Sequence, residues 1–124
     1  MHILNVEDNR DAADILALCL KLRGHDVGIA GDAQCGLVLA RAAPYELALC
    51  DLVMPGDLDG FAFAVECRRD PALASMKLVA ISGYAAPMDR TRAIACGFDA
   101  ILGKPVGLDA LEACIARVMR QPDT

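Results

Sequence analysis

Three carboxylates and one amine stand where apolar runs end. Glu7 and Asp8 follow Ile3-Leu4-Asn5-Val6, Asp51 follows Glu46-Leu47-Ala48-Leu49-Cys50, and Lys104 follows Ala100-Ile101-Leu102-Gly103. A carboxylate at the mouth of a buried strand is costly unless something pairs with it. If the runs are parallel neighbouring strands, the acids and the base meet at one edge of a sheet. Carboxylates that close raise one another's pKa, and a hard divalent cation relieves the repulsion. Magnesium takes oxygen ligands and keeps several waters, so one or two carboxylates suffice. With a cation in place Asp51 stays ionised and can attack phosphorus. Lys104 can then neutralise phosphoryl oxygens, and Ser82, at the end of a fourth run, can hydrogen-bond one of them.

The elements that must position these groups are legible in the pattern. Strand-like runs recur at His2 to Val6, Asp26 to Ala30, Glu46 to Cys50, Lys77 to Ile81 and Asp99 to Leu102. Helical spacing fills the gaps. Asn9 to Arg23 puts Ala12, Ile15, Leu16, Cys19 and Leu22 on one face, with Gly24 as a stop. Asp32 caps a helix to about Ala42, with Leu37 and Ala40 inward and Pro44 beyond it. Asp59 or Gly60 opens a third through about Arg69, closed by Asp70-Pro71. Pro87 suits the first turn of a fourth, ended by Gly97. Leu108, Leu111, Ile115 and Val118 mark the fifth. Strands alternating with helices imply βαβ units, a parallel sheet and helices on both faces. In such a sheet, sites form beyond the C-terminal strand ends, where Glu7, Asp8, Asp51, Ser82 and Lys104 all fall.

The 124 residues fit one domain, expected to span 1–124 with a disordered tail over 120–124. Apolar content of 56% and charged content of 23% fit a globular chain. No apolar run reaches the ~18 residues that a membrane span needs, and no signal peptide is expected at the N-terminus. Met1 opening straight into the first strand favours a complete stand-alone protein. A net charge of −5 argues against binding nucleic acid through phosphate neutralisation, and Arg68-Arg69 is too short for such a patch. The six cysteines form no Cys-x-x-Cys pair. They read as reduced packing residues of a cytoplasmic protein. His2 and His25 read as surface or strand-edge residues, Met54 as core filler beside the site, and Arg90, Arg92, Arg117 and Arg120 as solvated helix faces.

Four segments in order resemble the receiver domain of bacterial two-component response regulators. They are Val6-Glu7-Asp8-Asn9, Asp51-Leu52-Val53-Met54-Pro55 with Asp59-Gly60, Ile81-Ser82-Gly83-Tyr84-Ala85, and Gly103-Lys104-Pro105. The resemblance implies a flavodoxin-like (βα)5 fold with strand order 2-1-3-4-5. It implies Asp51 as phospho-acceptor, and Mg2+ held by Asp8, Asp51 and the main-chain carbonyl of Val53, with Glu7 acting through water. Ser82 would be the switch hydroxyl, and Lys104, before a usually cis Pro105, would bridge to the phosphoryl group. The implied partners are a sensor histidine kinase or phosphotransfer protein and an unknown downstream protein, with no nucleic acid and no membrane. A homodimer through helix 4, strand 5 and helix 5 is also open. The protein would assist its own phosphorylation and dephosphorylation without being a turnover enzyme.

The sequence departs from the family pattern in three places. Ile101 stands where receivers usually carry a switch aromatic, and Tyr84, two residues after Ser82, is the substitute the sequence offers. The loop Gly56-Asp57-Leu58-Asp59-Gly60 is one residue longer than the commonest form, which looks like receivers attached to hybrid histidine kinases. Val53 and Tyr84 flank the position of the attacking water and orient it poorly, so loss of phosphate should be slow. Ile101 supports an alternative, an interaction module that keeps the fold without using phosphate. A phosphatase-like hydrolase would want Asp-x-Asp where Asp51-Leu52-Val53 stands. A nucleotide binder would want a Gly-rich turn where Glu7 and Asp8 repel phosphate.

Overall fold

The protein is described by a computed structural model covering residues 1–54, 56–83 and 87–121. Pro55, Tyr84 and Ala85 of the motif segments, and 122–124 of the expected tail, lie outside the described residues.

The chain alternates β1 (His2–Val6), α1 (Arg10–Leu22), β2 (Asp26–Ala30), α2 (Ala33–Ala42), β3 (Leu47–Asp51), α3 (Gly60–Arg69), β4 (Lys77–Ser82), α4 (Pro87–Cys96), β5 (Ala100–Gly103) and α5 (Leu108–Met119). The strands form one sheet in the order β2-β1-β3-β4-β5, and each neighbouring pair is parallel. That is the fold the sequence implied.

Strand alternation sorts the core into two layers. Leu4, Val6, Ala48, Cys50, Leu78, Ala80 and Ile101 face α2, α3 and α4. Ile3, Leu47, Leu49, Val79, Ile81 and Ala100 face α1 and α5. Three helices begin on a side-chain cap that is local in sequence. Asn9 accepts from the Ala12 amide, Asp32 from Cys35 and Asp59 from Ala62. Each cap contributes about 1 kcal/mol, and the Asp59 cap fixes where α3 begins beside Asp51.

Two expectations need correction. β3, β4 and β5 run one residue further than the apolar runs suggested, to Asp51, Ser82 and Gly103. The ladder explains it, because Asp51 pairs with Ile81 and Ser82 with Gly103. The polar tips are thus held by the sheet itself. The inward face of α1 is also turned by about one residue from the expected one. Ala13, Ala17 and Leu20 are buried, with Leu16 partly so, whereas Ile15, Leu18 and Leu22 are exposed. Arg10, Asp11, Asp14 and Lys21 share one side of α1 and the rest of its surface is apolar, so spacing alone could not say which part of that wide apolar arc packs inward. Small Ala13 and Ala17 let the helix lie close on β1, where the Asn5 side-chain amide donates to the Ala13 carbonyl.

The cysteines are free thiols, with Cys50, Cys67 and Cys114 buried. Burial pushes the Cys50 thiol well above its ordinary value and Cys67 up to about 12, which keeps both protonated and inert. Cys35 is exposed, so it is not a packing residue. His2 stacks on Tyr45 at the N-terminal edge of the sheet, and His25 pairs with Glu112 at 3.0 Å. Met54 is buried, as expected. No helix among the described residues is long and apolar enough to cross a membrane.

Candidate functional site

The C-terminal edge of the sheet gathers the expected residues. One oxygen from each of Glu7, Asp8 and Asp51 lies within 4.8 Å of the others. Glu7 and Asp51 are buried and Asp8 is exposed. The Lys104 Nζ reaches Asp51 Oδ2 at 2.7 Å and Glu7 Oε1 at 3.4 Å. The Val53 amide donates to Asp51 Oδ1 at 3.1 Å. Buried Ser82 closes β4, and its carbonyl accepts from the Lys104 amide at 2.8 Å. The Lys104–Pro105 peptide is cis, as the motif led one to expect.

The local folding explains these positions. Each βα unit turns back at the strand end, so its first polar residue is left at the sheet edge. Gly60 lets α3 start directly against this edge. Its amide donates to the Leu52 carbonyl at 3.2 Å, and a Cβ there would strike the Asp51 carbonyl oxygen.

The electrostatics are those of an under-neutralised acid cluster. Burial, then the hydrogen bond and charge of Asp51, push Glu7 up to about 7, although Lys104 pulls the other way. Burial works against the Lys104 ammonium, but the Asp51 and Glu7 carboxylates outweigh it and hold its pKa above the ordinary lysine value. One amine therefore serves two buried acids, with exposed Asp8 at the rim. The donor set is all oxygen, which suits a hard divalent cation.

A pH dependence follows from Glu7. The metal-free fold favours the protonated carboxyl, so this stabilisation is fully present below the ordinary value of 4.5 and is lost as pH rises through about 7. We expect the melting temperature of chelator-treated protein to fall between pH 5 and pH 8, and Glu7→Gln to flatten that fall. A slope unchanged in Glu7→Gln would show that another group is responsible.

Sequence reasoning missed several contacts. The Val53 amide on Asp51 and the close seat of Gly60 are backbone geometry, which residue types do not announce. Arg92 is exposed, as expected, but its guanidinium carbon also lies 3.9 Å from the centre of the Phe61 ring. Arg68 donates to the Gly97 and Met76 carbonyls at 2.9 and 2.7 Å and to Asp99 at 2.9 Å. Apart from Met76, eight residues on from Arg68, these partners lie about thirty residues away, and only the fold brings them together.

Two cavities help to locate the chemistry. One of about 540 Å³ runs from Glu7, Asp51 and Lys104 along Ala12, Ile15, Leu16 and Leu108. Another of about 510 Å³ at the opposite end holds Glu46 and Lys77. There Glu46 already accepts from the His2 amide and Lys77 donates to the Gln121 carbonyl. The first is the one with converging acids and a base.

A parallel sheet of this strand order is the flavodoxin-like arrangement, here with acids and a lysine at its C-terminal edge. The family model of the response regulator receiver domain matches residues 3–116. The chain belongs to that family, whose members work with histidine kinases or phosphotransfer proteins.

Relatives agree. An uncharacterized 14.6 kDa protein from Leptolyngbya boryana is 34% identical over 121 residues, which is 98% of this chain and 88% of that one. The gliding motility regulatory protein of Myxococcus xanthus is 33% identical over 95% of this chain, which spans only 15% of that protein. Response regulator ArlR of Staphylococcus epidermidis is 30% identical over 98% of this chain and 54% of its own length. Among solved structures, the receiver domain of a DNA-binding response regulator from Colwellia psychrerythraea has a TM-score of 0.87 at 27% identity. It covers 98% of this chain and 99% of that one. Vibrio cholerae CheY4 has a TM-score of 0.89 at 23% identity, covering 94% and 97%, which speaks to fold alone. The phosphate-independent alternative is not favoured by this family membership.

Proposed function

We propose that Asp51 accepts a phosphoryl group from a phosphohistidine of a sensor kinase or phosphotransfer protein, and that the change in charge switches a protein-interaction surface. The observation that carries this reading is the 2.7 Å contact of Lys104 with an Asp51 that shares its pocket with Glu7 and Asp8. An Asp51 oxygen attacks phosphorus, the bond to the donor imidazole nitrogen breaks, and the imidazole leaves with its electron pair and takes up a proton. Lys104 holds a phosphoryl oxygen, and Ser82 closes on another.

Asp8, Asp51 and the Val53 carbonyl would hold Mg2+, with Glu7 reaching it through water. The ion supplies charge neutralisation between the acids and the incoming phosphoryl oxygens. Asp51 faces the cleft along α1, whose outer line, Ile15, Leu18 and Leu22, is apolar and exposed. Ile15, which lines both the cleft and the exposed apolar line, supports this side as the landing face for the donor. The protein acts as a switch and not as a turnover enzyme, within the cytoplasm, where six thiols are kept reduced. Pairing of two copies through α4, β5 and α5 is part of the same reading, and sedimentation before and after phosphorylation tests it.

The reading is tested by incubation with acetyl phosphate. Labelling that needs magnesium and disappears with chelator supports it; equal labelling without a divalent cation opposes it. A further expectation concerns lifetime. Val53 is 78% exposed beside Asp51 and has no group to orient water. Val53→Asn should shorten the lifetime of the phosphorylated state, by roughly tenfold at most, well short of a positioned general base. An equal or longer lifetime in that variant sinks this point.

A further inference from the structure

We propose that the contact between Arg92 on α4 and Phe61 on α3 is a releasable latch through which the state of Asp51 reaches α4. The inference rests on the reading that Asp51 takes a phosphoryl group.

α4 is loosely seated. Among its described side chains only Ala93 is fully buried, and Ile94 is half exposed. Its C-terminal end is nevertheless fixed. Arg68 of α3 donates to the Gly97 carbonyl and, from the same guanidinium, to Asp99 and Met76. An element with one anchored end and few buried contacts is a ready lever.

The other end of the lever begins soon after Ser82, the hydroxyl that closes on the phosphoryl group. Between the two ends Arg92 lies over the Phe61 ring at 3.9 Å. Phe61 in turn is tied to the phospho-acceptor segment. It follows Gly60, whose amide holds the Leu52 carbonyl and whose Cα leaves no room before the Asp51 carbonyl. The contact thus compares the position of α4 with that of the Asp51 loop.

Ile101 leaves a place for such a device. It is buried in the same cluster as Phe61 and Ala93, and a branched aliphatic chain offers no ring to swing between sheet and solvent. The aromatic group that α4 grips lies on α3 instead. Phe61 is buried but Arg92 is exposed, and a solvent-facing cation over a ring shifts an equilibrium by roughly two- to fivefold. That is the scale of a tie that a phosphoryl group can break, well below that of a core contact.

Beryllofluoride with Mg2+ is a stable mimic of the phosphoryl group on aspartate, and its binding to the full chain can be followed through backbone amides by NMR. In the wild type we expect the Ile94 and Ala95 amides to respond together with Ser82 and Lys104. Arg92→Ala should bind the mimic roughly two- to fivefold more tightly, since the resting state loses its tie. Arg92→Lys, which keeps a cation for the ring, should fall between. Phe61→Leu with Arg92→Ala should gain little over Arg92→Ala alone. A merely structural role would lower the melting temperature without tightening mimic binding. Unchanged or weaker binding by Arg92→Ala, with Ser82 and Lys104 responding normally, overturns the latch. No response at Ser82 and Lys104 in the wild type would instead overturn the phospho-acceptor reading, and the latch with it.

Discussion

Asp51→Ala is expected to lose magnesium-dependent labelling by acetyl phosphate entirely, a drop of roughly a thousandfold or more to background. Removing the atom that forms the bond to phosphorus leaves no second route, because Asp8 is exposed at the rim and Glu7 lacks the backbone amide that Val53 gives Asp51. The same change removes the largest nearby negative influence on Glu7, whose carboxyl should move back toward its ordinary value. The variant should therefore fold and show a weaker pH dependence of melting in chelator, which separates lost chemistry from lost structure. Retained labelling at more than a few per cent of wild type would mean that another residue accepts the phosphoryl group.

Lys104→Ala should have the second largest effect. Its ammonium is the described cation in contact with Asp51 and Glu7, at 2.7 and 3.4 Å. Removing one preorganised charge from a phosphoryl site costs on the order of a hundredfold in rate, so labelling should slow by about that factor while Mg2+ is still required. The metal-free fold should also lose roughly 1–2 kcal/mol at neutral pH, a value reduced because the lysine is a third exposed. Added magnesium should return part of it. Lys104→Arg should recover stability better than rate, since its planar fork cannot sit where the compact ammonium does. A labelling rate in Lys104→Ala equal to wild type would remove the lysine from the mechanism.

The framework and the edge residues were readable because both rest on local signals. A strand that enters the core is apolar, and the polar residue that ends it must be there for a reason. Glu7, Asp51, Ser82 and Lys104 stood out on that ground, and the ladder carries each strand up to them. The caps Asn9, Asp32 and Asp59 were equally local. The face of α1 was not readable, because Ile15, Leu18 and Leu22 are as apolar as the residues that pack and only the close approach of Ala13 and Ala17 decides between them. Arg92 and Arg68 were not readable either. Each finds its partner across elements, on Phe61 in one case and on Gly97, Met76 and Asp99 in the other. A helix-borne arginine shows its charge in the sequence, but its partners only when the neighbouring segments are in place.

The central claim is that separate strand ends build one pocket in which a divalent cation and Lys104 prepare Asp51 for phosphoryl transfer. Labelling with acetyl phosphate, followed by borohydride reduction and peptide mass spectrometry, tests it most directly, since reduction marks the acyl phosphate at its own residue. The account expects one modified position, Asp51, only when magnesium is present. A mark on Glu7, Asp8 or Asp59, or an equal mark on Asp51 in the presence of chelator, would contradict it.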